Sequence, residues 1–276
     1  MTRILILSIL FFVLANCVSA RDDSNRSDTA LYFYHKTFKV EVLVKYPAIK
    51  PKGTILLLHG YNLPHTQWCE KTSFCTEALK SGYTIVIPNF GKSTYQEKFY
   101  TQTTASFRQY PTRKWMRDTV LTALQKQLGL LKEGQNNFVL GLSTGARGAA
   151  LLALDLPNVF KGAGCLSGDY DQVKLPFEKI YHNYYGNFKE YKSVWQTDDN
   201  LHYMIDRWKT PVYLAHGQLD NICPVSQTIN FYKLLSQKKP SVKCKYVIVK
   251  DQKHDYTFWG SQTKGVLTFF NELVKP

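Results

Sequence analysis

The chain has 276 residues, with 35 Lys and Arg against 21 Asp and Glu, so its formal net charge is +14, and 44% of its residues are hydrophobic. This composition excludes an intrinsically disordered chain and suits one large core, since single α/β domains often reach 250 residues. The lysines are scattered and no RNA-binding motif accompanies them. The charge therefore predicts a basic, solvated surface and no nucleic-acid partner.

Residues 1–20 have the pattern of a secretory signal peptide. Arg3 precedes an apolar run at residues 4–15, and Val18-Ser19-Ala20 places small residues where signal peptidase cleaves. We expect an exported protein, secreted or periplasmic, whose mature charge is +13 after Arg3 is removed. A stable membrane anchor is disfavoured, because a run of about a dozen apolar residues is well short of the ~20 that span a bilayer. A lipoprotein attached through Cys17 is a weaker alternative.

The cysteines point to one bridge and no metal. Five remain in the expected mature chain, so at least one thiol is unpaired. Cys69 and Cys75 can pair in an oxidising compartment, provided that the residues between them do not form a regular helix. Cys165 lies in an apolar strand pattern and is expected to be buried. A zinc site at His65, Cys69 and Cys75 lacks a fourth ligand at a usual spacing, and we expect no cofactor.

The predicted elements follow an α/β order along the chain. Residues 30–46 alternate between apolar and polar side chains, which predicts an edge hairpin. Near-continuous apolar runs, typical of strands covered on both faces, follow at residues 54–58, 83–87, 137–140, 211–214 and 246–249. Helical spacing occurs at residues 114–131, 146–156, 226–235 and 257–274. This alternation predicts a mostly parallel, doubly wound sheet, with residues 21–276 as a single domain.

Two stretches, residues 90–112 and 169–209, do not join the alternation. The second holds ten aromatic residues among 41, or 24% against 14% for the whole chain, which suggests that it has a surface to cover. We expect a cap insertion at about 169–209. Its aromatic side chains either pack within the cap or form a wall for an acyl chain, an aryl acid or a sugar, and the pattern favours neither.

The motif Gly141-Leu142-Ser143-Thr144-Gly145 joins a predicted strand to a predicted helix. G-x-S-x-G in that setting is typical of a nucleophile elbow, whose glycines leave room for a sharp turn. A serine hydroxyl needs a base to take its proton and a carboxylate to orient that base. The sequence therefore predicts Ser143 as a nucleophile.

The loops after the last two predicted strands supply the partners. Asp220 and His254 follow parallel strands, so both are expected at the sheet edge that carries Ser143. We predict His254 as general base and then acid, and Asp220 as the carboxylate that fixes the imidazole tautomer. Asp169 or Asp171, after the preceding strand, is the alternative acid.

An oxyanion hole requires two backbone N–H donors near the nucleophile, each of which contributes ~3 kcal/mol. One is predicted at Thr144, where the following helix starts. The other is predicted at Tyr61, in the loop after the first parallel strand. His59 in that loop is expected to hydrogen-bond the backbone rather than to act as a base.

Several segments resemble α/β-hydrolases of the esterase-D or prolyl-oligopeptidase-like branch, from about residue 52 to the end. His59-Gly60 resembles the oxyanion loop of this family, and residues 87–95 resemble its Pro-Asp-Gly-Gly-x-Ser-x-Tyr stretch. Residues 143–149, followed by Ser167-Gly168, are similar to its nucleophile region, and the segments at 216–220 and 254–259 complete the pattern. The resemblance implies an α/β-hydrolase fold and hydrolysis of esters, thioesters or peptides.

Of these activities the sequence favours an esterase acting on a small-molecule or polymer-linked ester. Oligopeptidases of this type carry a large amino-terminal gating domain, whereas only about thirty expected mature residues precede the first parallel strand. An acyltransferase, a serine peptidase of the same fold and a catalytically dead exported binding protein are the alternatives. The residues leave the acyl group, the alcohol and the oligomeric state open.

Overall fold

A computed structural model describes residues 26–197 and 199–274, so the predicted signal peptide at 1–20 lies outside the described residues. Within them, eight strands form one sheet in the order β1-β2-β4-β3-β5-β6-β7-β8. Their bounds are β1 (Thr29–His35), β2 (Phe38–Lys45), β3 (Gly53–Leu58), β4 (Tyr83–Pro88), β5 (Asn137–Leu142), β6 (Phe160–Leu166), β7 (Val212–Gly217) and β8 (Cys244–Val249).

The sheet is parallel from β4 to β8, and only the amino-terminal hairpin runs against it. Strand β1 pairs with β2, and β2 with β4, in antiparallel register, whereas the other neighbours are parallel. The predicted α/β-hydrolase fold is confirmed. Strand β3 lies between β4 and β5, so the chain reverses its direction of progress across the sheet at this point, where ligands of open α/β sheets bind.

Helices cover both faces of the sheet. They are α1 (Gln67–Lys71), α2 (Phe74–Lys80), α3 (Thr112–Trp115), α4 (Thr144–Asp155), α5 (Lys179–Tyr185), α6 (Lys192–Trp195), α7 (Ser226–Lys238), α8 (Tyr256–Ser261) and α9 (Thr263–Asn271). Helix α3 continues as π-helical turns over Met116–Leu121 and Leu124–Leu128. Short 3₁₀ segments lie at Ala105–Phe107, Gln172–Lys174 and Leu201–Arg207. No helix among the described residues is long and apolar enough to cross a bilayer.

The core is divided into two layers by the pleat of the sheet. In β3, Leu56 and Leu58 join the cluster that contains Phe231 of α7, whereas Ile55 and Leu57 join the cluster that contains Phe270 of α9. Each of these β3 side chains is fully buried, and burial of such a side chain stabilises a fold by ~2 kcal/mol. The continuous apolar runs in the sequence thus reflect strands with helices on both sides.

Two predicted helices differ from the structure. The segment at 257–274 is two helices, α8 and α9, because the chain turns at Gln262. The helical segment predicted at 114–131 starts at Thr112 and ends at Leu128, since Gly129 adopts a left-handed conformation with φ of 69°.

Helices α1 and α2 were not predicted, and they explain the disulfide bond. Cys69 lies in α1 and Cys75 in α2, and the chain leaves helical geometry at Thr72 between them. That break brings the two Cα atoms to 5.0 Å, and the bond forms. The other described cysteines are free thiols, of which Cys165 is buried as expected.

The stretches at 90–112 and 169–209 pack against each other. The rings of Phe107 and Tyr184 are 5.1 Å apart, and Thr103 Oγ1 donates to the carbonyl oxygen of Tyr184. Tyr184 also belongs to a buried aromatic cluster with Tyr181, Tyr185 and Trp195. These aromatic side chains therefore serve chiefly to pack the insertion.

Candidate active site

Ser143 sits in a sharp turn between β5 and α4. Its φ of 55° and ψ of −128° form a backbone conformation that a non-glycine residue rarely adopts. The flanking glycines are sterically required: a Cβ on Gly141 would lie 2.0 Å from the carbonyl oxygen of Gly145, and a Cβ on Gly145 would lie 2.5 Å from that of His59. The turn therefore presents the Ser143 side chain at the carboxyl edge of the sheet.

The loops after β7 and β8 bring Asp220 and His254 to that serine. His254 Nε2 is 2.9 Å from Ser143 Oγ, and His254 Nδ1 is 2.6 Å from Asp220 Oδ2. The imidazole therefore bridges the hydroxyl and the carboxylate, although the residues are far apart in sequence. The alternative acids are placed differently: Asp171 Oδ1 accepts hydrogen bonds from Asn200 Nδ2 and Val173 N.

Asp220 is held by groups beyond His254. Its Oδ1 accepts from the N–H groups of Ile222 and Cys223 at 3.0 and 2.8 Å. Its Oδ2 lies 3.1 Å from Nε2 of the buried His216. Burial alone would raise the pKa of Asp220, but hydrogen bonds from His216 and His254 outweigh burial and hold that pKa well below its usual value. The carboxylate is therefore ionised at neutral pH.

The His216 contact was missed by the sequence analysis. His216 is the penultimate residue of β7 and is completely buried. Its Nδ1 is 2.8 Å from Thr228 Oγ1, so both ring nitrogens have partners. The spacing of four residues between His216 and Asp220 is the sequence feature that could have indicated their contact.

The loop that carries His254 is fixed by the start of α8. Asp255 Oδ1 accepts from the N–H of Phe258 at 3.0 Å, which caps the helix. The Trp259 ring meets the His254 ring edge to face at 5.1 Å, and its Nε1 donates to Ser167 Oγ at 3.1 Å. The orientation of the imidazole is thus set by packing as well as by its hydrogen bonds.

Tyr61 and Thr144, the two predicted oxyanion donors, line the same cavity as Ser143. Thr144 is the first residue of α4, where a backbone N–H has no partner within the helix. The N–H of Tyr61 donates to no protein acceptor in the described part of the chain. Both groups are thus free to donate to an incoming oxygen.

His59 fixes the loop that carries Tyr61. Its Nδ1–H donates to the carbonyl oxygen of Gly60 at 2.7 Å, and its Nε2 accepts from the N–H of Phe90 at 2.8 Å. Burial lowers the pKa of His59 to about 4, so the ring is neutral at physiological pH. With both nitrogens engaged, His59 ties the loop after β3 to the residues that follow β4.

A cavity of about 310 Å³ opens at Ser143 and His254. This volume is near the lower end of the range for small-molecule sites, so the occupant is of modest size. Its apolar wall comes from the loop after β3, the insertion and the loop after β7: Leu63, Leu175, Ile180, Tyr181 and Ile222. Asp169 and Glu178 are its acidic lining residues. Among the described residues, no group of three or more His, Cys, Asp or Glu is placed to hold a metal ion.

The comparisons with known proteins agree with this architecture. A model of the family described as "Putative esterase" matches residues 35–272, which is most of the chain. The chain belongs to this family. It is a carboxylic-ester hydrolase, and the predicted resemblance to α/β-hydrolases of the esterase-D and prolyl-oligopeptidase-like branch is confirmed. No curated protein matches the sequence of this esterase.

Solved structures share the fold of this esterase at low sequence identity. Fluorophosphonate-binding serine hydrolase F of Staphylococcus aureus is 19% identical, with a TM-score of 0.71 over 90% of this chain and 98% of that one. An S-formylglutathione hydrolase of Agrobacterium tumefaciens is 14% identical, with a TM-score of 0.72 over 90% and 95%. An acylaminoacyl peptidase of Pyrococcus horikoshii is 16% identical, with a TM-score of 0.66 over 90% of this chain but 42% of that one.

Proposed function

We propose that this esterase cleaves carboxylic esters through an acyl-enzyme on Ser143. The observation that supports this is the continuous path from Asp220 Oδ2 through His254 to Ser143 Oγ, with separations of 2.6 and 2.9 Å. His254 Nε2 takes the hydroxyl proton as Oγ attacks the ester carbonyl carbon. The ionised Asp220 keeps the Nδ1 proton facing it and stabilises the imidazolium.

The tetrahedral intermediate carries its negative charge on the former carbonyl oxygen. The N–H groups of Tyr61 and Thr144 donate to that oxygen, and each contributes ~3 kcal/mol of transition-state stabilisation. When the intermediate collapses, the bond to the alcohol oxygen breaks and the imidazolium gives its proton to the leaving alkoxide. Water, deprotonated by His254, then attacks the acyl-enzyme, which releases the acid and restores Ser143.

We also propose export to an oxidising compartment. The pattern at residues 1–20 supports this, and so does the Cys69–Cys75 disulfide, since such bonds persist in secreted and periplasmic proteins. The test is the amino terminus of the protein recovered from its native host. A start at Arg21 outside the cytoplasm is expected, and an intact Met1 in a cytoplasmic protein would contradict the proposal.

The catalytic proposal is tested with purified wild type, Ser143→Ala and a matched control, Ser236→Ala, on the exposed side of α7. Short and long p-nitrophenyl esters report turnover, and a fluorophosphonate probe reports labelling. We expect Ser143→Ala to lower kcat by at least about a thousandfold and to abolish labelling, while Ser236→Ala behaves as wild type. A loss below about tenfold would mean that another residue is the nucleophile.

The other outcomes separate the alternatives. An inert wild type whose Ser143 is not labelled would favour a binding protein on a dead hydrolase fold. If labelling succeeds and added glycerol receives most of the acyl group, the proposal of an acyl-enzyme on Ser143 is retained and the enzyme is a transferase. Faster cleavage of a peptide amide than of the matched ester would favour a peptidase.

A further inference from the structure

The charge of the cavity is opposite to that of the protein as a whole. The chain carries a formal charge of +14, yet none of the 13 residues that line the cavity beside Ser143 is Lys or Arg. Two of the 13 are carboxylic acids, Asp169 and Glu178, and neither belongs to the proposed triad. The lining of the cavity therefore carries two acidic groups and no lysine or arginine, in a protein whose net charge is positive.

Asp169 is a buried acid that accepts no hydrogen bond from another described residue. It lies three residues after the end of β6, at the same sheet edge as Ser143, and it is one of the residues that line the cavity. Asp169 is only 8% exposed, and its buried Oδ1 has no hydrogen-bond partner among the described residues. A buried carboxyl group without a hydrogen-bond donor costs free energy. The enclosed Oδ1 is out of reach of the cavity, so a donor that enters the cavity would stabilise the group through Oδ2.

The charges near Asp169 do not fully compensate its negative charge. Burial raises the pKa of this carboxyl group, the nearby Arg147 opposes the rise, and Glu178 adds to it. Arg147 donates from Nε to Thr94 O and from Nη2 to Tyr185 Oη and Asp199 O. Its Nη1 makes no hydrogen bond to a described residue, Asp169 included, and its charge also acts on the buried Asp199 carboxylate. The Arg147 charge is therefore shared, and Asp169 is not neutralised by a bonded partner.

Glu178 supplies the second negative charge. It precedes α5, and its Oε1 accepts from the N–H of Ile180 at 3.3 Å, which places the carboxylate at the cavity wall. A single weak backbone hydrogen bond leaves the other carboxylate oxygen available. Two carboxylates in one small cavity repel each other, and a cation between them removes that repulsion.

We propose that Asp169, with Glu178, binds a protonated amine of the substrate, so that the preferred substrates are esters carrying an ammonium group near the scissile carbonyl. The inference rests on the proposed esterase function, and it names the chemical class that the function leaves open. Asp169 is then a specificity-determining residue: it takes no part in the proton transfers, and it selects which esters reach Ser143.

The experiment compares esters that differ by one charge. Phenyl 3-aminopropanoate and phenyl butanoate are a matched pair for the acyl side, and 2-(dimethylamino)ethyl acetate and 3-methylbutyl acetate are a matched pair for the alcohol side. Values of kcat/KM at neutral pH and low salt are corrected for hydroxide-catalysed hydrolysis of each ester. In one of the pairs we expect the ammonium ester to be preferred about ten- to hundredfold, as a hydrogen-bonded charge provides.

Variants assign the preference to the carboxylate. Asp169→Asn keeps the shape and removes the charge, and it should lower the ammonium-to-neutral ratio by about tenfold or more. Glu190→Gln, an exposed acid of the insertion that does not line the cavity, should leave the ratio unchanged. If Asp169→Asn does not fold, wild type alone decides: butylammonium should inhibit neutral-ester hydrolysis competitively, and butanol should inhibit it more weakly.

Failure of the ammonium-binding proposal and failure of the proposed esterase mechanism give different results. Wild type that cleaves both members of each pair equally, with Ser143-dependent turnover and no inhibition by butylammonium, overturns this inference and leaves the esterase proposal intact. A preference for the neutral ester in both pairs, or an ammonium-to-neutral ratio that Asp169→Asn leaves unchanged, also overturns it. Absence of turnover with every ester, together with an unlabelled Ser143, overturns the proposed function itself.

Discussion

The protonation of His59 is predicted to make the fold acid-sensitive. Burial lowers the pKa of His59 from 6.5 to about 4, so between these values the unfolded chain binds a proton that the native state does not. The stabilisation from the neutral ring is therefore complete above pH 6.5 and is lost as the pH falls through 4. At ~1.4 kcal/mol for each pKa unit, the interval corresponds to ~3 kcal/mol of unfolding free energy.

The variant His59→Gln removes this titration. Urea unfolding of wild type and variant, followed from about pH 7.5 to about pH 4, gives the difference in unfolding free energy at each pH. At neutral pH the variant should be less stable, since the N–H of Phe90 loses its acceptor. The difference in unfolding free energy should then shrink by ~3 kcal/mol on acidification. The reason is that only wild type has a His59 ring that is protonated in the unfolded chain and neutral in the native state. The charge of the nearby His65 also lowers the pKa of His59, so the same pair of proteins is compared in a His65→Gln background.

A difference that stays constant over this pH range would refute the reasoning, because it would mean that His59 titrates alike in the native and unfolded states. The same variant tests the link to catalysis. His59 fixes the loop that presents the N–H of Tyr61, so His59→Gln should lower kcat for p-nitrophenyl esters more than it changes KM. An unchanged kcat would separate His59 from the oxyanion site.

Three further predictions use other parts of the structure. Asp220→Asn should lower kcat by about 10³- to 10⁴-fold with an unchanged circular dichroism spectrum, a smaller loss than in Ser143→Ala; full activity would remove Asp220 from the triad. Replacing Cys69 and Cys75 together by serine should lower the unfolding free energy in urea by ~2 kcal/mol, because a short loop is no longer closed, and an unchanged midpoint would contradict this. Gly145→Ala should abolish both activity and native-like thermal stability, since its Cβ would lie 2.5 Å from the carbonyl oxygen of His59; a stable, active variant would show that the elbow can relax.

The strands could be predicted from the sequence because burial on both faces leaves a continuous apolar run. The ends of the strands could not. Strand β7 was predicted to end at residue 214, whereas it runs to Gly217 and includes His216. His216 lies beyond the apolar run, and only the fold supplies Thr228 and Cys223 as partners for its two ring nitrogens.

The short helices α1 and α2 could not be predicted from the sequence, for a different reason. Helix α1 has five residues and α2 has seven, which is too few for a helical period to emerge from the pattern. The bridge between Cys69 and Cys75 depends on the break between these helices, so the sequence could state the condition for the bond but not whether it is met. The turn at Gln262 could not be predicted either, because apolar residues at helical spacing continue on both sides of it.

The proximity of Ser143, Asp220 and His254 could be anticipated because each follows a parallel strand, and the carboxyl ends of such strands meet at one edge. The cavity wall could not, because its position depends on how the insertion packs. Asp169 illustrates this: the sequence offered it as an alternative acid for the imidazole, whereas the structure places it in the cavity with an unpartnered oxygen.

Each loop that carries a proposed catalytic group is fixed by hydrogen bonds of its own. His59 ties down the loop of Tyr61, the N–H of Cys223 holds the Asp220 carboxylate, and Asp255 caps the helix that follows His254. The geometry at Ser143 is therefore established by folding and does not wait for substrate, which is the condition under which backbone donors stabilise a developing charge without reorganisation. Loss of one of these anchors should then reduce kcat without removing any atom that touches the ester.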